Sequence, residues 1–164
     1  MTHPILKSVA ATALFLMILA THTASAAHPI YRASLNGPAL DGYDTVAYFT
    51  LGRAVRGTAE FQHEWRDTTW YFMNAEHRAL FVSDPEKYAP QFGGYCAYAA
   101  SRSHLYKGHP EVFTIQDGRL YFNNNESVEQ IWISDSKMLI ESAKRLFPKL
   151  LGDVPAKSSL IPTP

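Results

Sequence analysis

The chain has one cysteine, Cys96, in the run YAPQFGGYCAYAAS, Tyr88 to Ser101. A thiolate is both a nucleophile and a soft-metal ligand. Gly93-Gly94 predicts a turn that opens a short helix at YCAYAAS, since Ala-rich sequence favours helix. A thiol in that first turn would meet unpaired amides and the positive end of the dipole, which lower its pKa from about 8.5. Two other readings stay open. Cys96 is a small buried apolar residue where Gly-Gly allows close backbone approach, or it pairs with a cysteine of another molecule.

Nitrogen and thioether donors come next. His77 falls on the apolar face of a predicted helix, close after Met73. If the GGYC segment folds back on that helix, Cys96, Met73 and His77 form a soft S/S/N site. His104 and His109, in SHLYKGHPE, are alternate partners for Cys96, although their spacing fits no tight zinc pattern. His63 alternates with Phe61 and Trp65 on one face of a strand, which predicts a packed or edge histidine. His28 would lie near a new N-terminus after leader removal, where an amine and an imidazole can hold Cu(II).

The chain contains no G-x-S-x-G, no H-E-x-x-H and no phosphate-binding Gly loop. The expectation is therefore a protein without enzymatic activity. Lys plus Arg equals Asp plus Glu, fifteen of each, which leaves no electrostatic footprint for nucleic acid or anionic lipid.

The donors must be positioned by a single domain. EFQHEW and TTWYFM flank a polar Arg66-Asp67 turn and predict a hairpin. VFTIQDGRLYF predicts a second, with Asp117-Gly118 as its tight type I′ turn. Asn74 caps a helix over AEHRALFVS, and Asn123, Asn124 and Asn125 offer caps for a helix carrying Val128, Ile131 and Trp132. SDPEKY starts a short helix that Asp84 can cap, with Pro85 at its first position and capping-box spacing from Ser83 to Glu86. SDSKMLIESAKRLFP is an amphipathic helix that Pro148 ends. YDTVAYF reads as a strand.

WYFMNAEHRALFVSDPEK and LYFNNNESVEQIWISDSK share one order, about fifty residues apart, so a duplicated hairpin–helix unit is one reading of the pattern. Common capping grammar is the other. Either way the fold class is α+β: a small antiparallel sheet built from hairpins, with helices packed on it.

The ends bear on compartment. Lys7, an apolar run from Val9 to Ala20, and Ala24-Ser25-Ala26 match a cleaved secretory leader over 1–26. The expected location is periplasmic or secreted. Residues 27–39 read as a lead-in, 40–148 as the domain, and 149–164, rich in Pro, Ser and Lys, as a disordered tail. No stable membrane insertion is expected once the leader is removed.

GYDTVAYF and DPEKYAPQFGGYCAYAAS resemble the YHS domain family, most closely its exported bacterial branch. The likeness runs from Leu40 to Ser101 and continues more weakly through DGRLYFNNN. The resemblance implies a metal-binding module, because short members of that family carry three cysteines. Here those three positions are Ala47, Met73 and His77. The expectation is a non-catalytic exported binding module for a soft or borderline ion, copper before zinc, at Cys96, His77 and Met73 with His104 and His109 as alternates. The rival expectation is a structural or protein-interaction domain, with another exported protein as partner and Cys96 in its core.

Overall fold

The structure is a computed structural model and describes residues 27–152; the predicted leader and most of the predicted tail lie outside the described residues. Twelve elements form two successive units of the same plan. Each unit runs through a tight corner, a short helix, a two-stranded antiparallel hairpin and two helices.

In the first unit a 3-10 corner, Ala39–Gly42, precedes α1 (Thr45–Thr50). The hairpin β1 (Thr58–Trp65) and β2 (Thr68–Phe72) follows, then α2 (Ala75–Ser83) and α3 (Pro85–Tyr88). The second unit repeats this with a corner at Gln91–Gly94, α4 (Ala97–Ser101), β3 (Phe113–Gln116), β4 (Arg119–Phe122), α5 (Glu126–Ser134) and α6 (Ser136–Leu150). The α+β class read from the sequence is therefore observed, as two separate two-stranded sheets with helices packed on them.

The correspondence between units extends to single hydrogen bonds. Tyr43 bridges Arg56 as Tyr95 bridges Lys107. Gly57 donates to the Gly42 carbonyl and Gly108 to the Gly94 carbonyl, at 2.9 and 3.2 Å. Asn74 Oδ1 accepts from His77 N at 2.8 Å, and Asn125 Oδ1 accepts from Val128 N at 2.9 Å, so the first helix after each hairpin starts from an Asn cap.

Strand β4 joins the units. Successive strand residues face opposite sides of a sheet, and β4 uses both. Leu120 and Phe122 enter the core of the first unit with Val46, Tyr48, Trp70 and Phe81. Tyr121 enters the second core with Phe92, Trp132, Ile140 and Phe147. Tyr48 completes the join by meeting Phe113 and Phe122 edge-on at 4.7 and 5.2 Å.

Both predicted hairpins form. Asp117-Gly118 takes the two positive φ values, 51° and 70°, that the type I′ turn requires. Arg66 and Asp67 adopt the same hand at 51° and 54° without a glycine. His63 lies half-buried on β1 beside the Phe81 ring, as its alternation predicts.

Several elements differ from the sequence reading. YDTVAYF is a helix, not a strand: Asp44 caps it by accepting from Val46 N at 2.9 Å. A buried cap overrides the strand preference of Val, Tyr and Phe. Asp84 caps α3 as its place before Pro85 predicts, but the Ser83–Glu86 capping box does not form, and the Ser83 hydroxyl donates back to the Leu80 carbonyl. Pro148 does not stop α6, which runs to Leu150. Proline removes one N–H at a point where only the last turn depends on it, while Phe147 and the buried Leu151 hold that turn on the core.

The predicted lead-in is packed into the fold. Ile30 is buried, Tyr31 N donates to the Gly93 carbonyl at 2.9 Å, and the Tyr95 hydroxyl donates to the His28 carbonyl at 2.9 Å. This strap explains Gly93, and the Ala39–Gly42 corner explains Gly94. A Cβ on Gly93 would sit 1.8 Å from the Pro29 carbonyl oxygen, and one on Gly94 would sit 2.0 Å from Leu40 Cδ2. Both residues also have positive φ, 61° and 86°. No helix among the described residues is long and apolar enough to cross a membrane.

Candidate functional site: two internal anchors

Cys96 stands at the N-cap of α4, where the corner Gln91–Gly94 delivers it. It is 1% exposed. Its Sγ accepts from Ala99 N at 3.5 Å and donates to Asn123 Oδ1 at 3.6 Å. Asn123 is itself fully buried, and its Oδ1 also accepts from Tyr98 N at 3.2 Å. The thiol thus fastens the start of α4 to the residue that follows β4.

The expected low pKa is not found. Burial pushes the Cys96 thiol up, and the amides of Ala99, Asn124 and Tyr98 pull the other way without reversing it. Desolvation outweighs the N-terminal dipole of a five-residue helix. A raised thiol pKa means that the unfolded chain loses its proton first as pH rises. The stabilising contribution is complete below about pH 8.5 and declines above it. Denaturant unfolding of the protein and of Cys96→Ala across that range should show the decline shrinking in the variant. Tyr48 and Tyr95, shifted up chiefly by burial, and Tyr121, pushed up to about 12 by the same cause, would sustain a further decline at higher pH.

His77 is equally enclosed, 6% exposed, but with different partners. Its Nδ1 lies 2.7 Å from Asp44 Oδ2 and its Nε2 lies 3.2 Å from Thr50 Oγ1. Asp44 is completely buried. Its Oδ1 accepts from Val46 N, and its Oδ2 accepts from Met73 N at 2.9 Å as well as from His77. The carboxylate thereby ties α1 to the end of β2 and to α2.

Asp44 and Cys96 occupy the same place in the two units. Each follows the corner and a tyrosine, each caps the short helix, and each reaches the residue after the last Phe of its hairpin: Met73 after Phe72, Asn123 after Phe122. Their backbone amides match too, with Asp44 N donating to Val55 O and Cys96 N to Tyr106 O at 2.9 and 2.8 Å. The position of His77, third in its helix, is taken by Val128 in the second unit. A buried carboxylate there would have no imidazole beside it, and an unpaired buried charge is costly. An uncharged thiol satisfies the amide without that cost.

The remaining predicted donors lie elsewhere. Met73 contributes its backbone N–H to Asp44. His104 is exposed, its Nδ1 donating to the Arg102 carbonyl at 2.7 Å. His109 is exposed, its Nδ1 accepting from Glu111 N at 3.2 Å. His28 folds back on its own strap, accepting from Ile30 N at 3.1 Å. Among the described residues, no group of three or more His, Cys, Asp or Glu side chains gathers where it could hold a metal ion. Two surface clefts, one beside Tyr31, Asp41 and Tyr48, the other beside Trp65, Glu86 and Gln91, include neither Cys96 nor His77 in their walls.

The chain matches no family model, no curated protein and no solved structure. The likeness to the YHS domain rests on the segments quoted above. Two residues that matter here, Asp44 and Thr50, escape the sequence reading, and Asn123 enters it only as a candidate helix cap. A signal for Asp44 existed in its place before TVAYFT, since Asp is a strong N-cap. Nothing local marks Thr50 or the anchoring role of Asn123.

Proposed function

We propose that the chain is an exported protein-interaction module, in which Cys96 is a folding residue rather than a ligand or nucleophile. The observation that carries this reading is the equivalence of Cys96 and Asp44. Two residues of different chemistry perform one task, the fastening of a short helix to a hairpin end, at one place in two similar units. Gly93 is used up in the crossing of the N-terminal strap and Gly94 in the close approach of Leu40, and His77 is used up in holding Asp44. Cys96 and His77, the two buried donors, are thus committed to internal bonds. What the fold leaves available to a partner is its surface.

A Cu(I) competition titration of the reduced full chain tests this against the copper-binding alternative. Cys96→Ser keeps a cap acceptor at the site, and Met73→Leu removes the thioether. The protein and both variants should yield Cu(I) to a chelator equally. Retention of one equivalent by the unsubstituted chain, lost in Cys96→Ser, would establish the metal site instead.

A further inference from the structure

We infer that the outer edge of β1 is a docking edge for an extended, basic peptide segment, which joins the sheet as an added strand. The inference rests on the interaction-module reading above and supplies its partner class. Each sheet has two strands, so each strand has one edge without a ladder partner. Just past the end of β2, Asp44 bonds the N–H of Met73. β4 is bridged by Cys96 at Phe122. β3, Phe113–Gln116, carries no charged side chain that would select a partner. Among the described residues, no backbone hydrogen bond joins residues 59–65 to any segment besides β2.

Exposed edges are usually blunted by charged side chains, lysine above all, by proline or by bulges. β1 has an irregular register between Thr58 and Gln62, which blunts its first half. From Gln62 to Trp65 it pairs regularly with β2 and contains neither lysine nor proline. Its solvent face presents Glu60, Gln62 and Glu64, all exposed, while Phe61, His63 and Trp65 turn inward. The strand carries two carboxylates and no Lys or Arg. Opposite charges placed across a strand pair stabilise it, and like charges oppose it. A strand with Lys or Arg at alternate positions satisfies both the open ladder and the charge, which is the mode of peptide capture by sheet extension.

The test is an NMR titration of the isotopically labelled full chain with an acetylated, amidated peptide of alternating Thr and Lys. Its Thr/Glu counterpart and a Glu60→Lys/Glu64→Lys variant serve as controls. The Lys peptide should shift and protect amides within Gln62–Trp65, bind the variant at least tenfold more weakly, and be replaced there by the Glu peptide. No shifts at millimolar peptide, shifts centred away from β1, or equal binding to the variant would overturn the inference. The Cu(I) titration tests the module reading independently of the edge, so either can fail alone.

Discussion

His77→Ala is expected to lower unfolding stability by about 3 kcal/mol, the upper end of the cost of depriving a buried acceptor of a hydrogen-bond partner. The substitution leaves the Asp44 carboxylate with only the amides of Val46 and Met73. Asp44 has no exposure through which water could replace the imidazole. Against a typical domain stability of about 5–15 kcal/mol, this loss is large enough to read directly from urea unfolding curves. Asp44→Asn combined with His77→Ala removes the stranded charge, so the double variant should be more stable than His77→Ala alone. A single-variant loss below about 1 kcal/mol, the scale of an ordinary hydrogen bond, would mean that the pair does not carry the first unit.

Gly93→Ala and Gly52→Ala form a matched pair with unequal expected losses. Both glycines have left-handed backbones, at φ 61° and 63°. Any L-residue at such a φ costs about 1–2 kcal/mol, and that is the whole effect expected at Gly52, where an added Cβ meets nothing within 4 Å. At Gly93 the same methyl collides with the Pro29 carbonyl oxygen. The strap would have to lift, breaking the bond from Tyr31 N to Gly93 O and exposing Ile30. A loss of more than about 4 kcal/mol, or failure to fold, is expected there. Equal effects at the two positions, in thermal melts of both variants, would show that the strap is not part of the fold's stability.

How much of this was legible depended on whether the signal was local. Both hairpins were, because alternation and a turn between two runs are short-range features, and Asp117-Gly118 names its own turn type. The Asn74 and Asn125 caps were legible for the same reason, and so was the similarity of the two units around them. YDTVAYF was misread because β-branched and aromatic residues pointed to a strand, while the deciding bond came from one side chain, Asp44, buried by tertiary contacts. Cys96 was placed correctly at the start of a short helix after a glycine turn. The direction of its pKa was not, because burial is a property of the assembled core. The two anchors were invisible for a simple reason: Asp44 and His77 are 33 positions apart, and Cys96 and Asn123 are 27 apart. No spacing rule links residues at those separations.

The central claim is that the Cys96 sulfur is sealed inside the second unit as a fastening. Its most direct test is the rate at which a disulfide reagent labels the folded, reduced chain as urea is raised. The account predicts that labelling tracks global unfolding, with the same midpoint as the loss of tyrosine and tryptophan signals. Labelling in the absence of urea at the rate of an unhindered small thiol would contradict it.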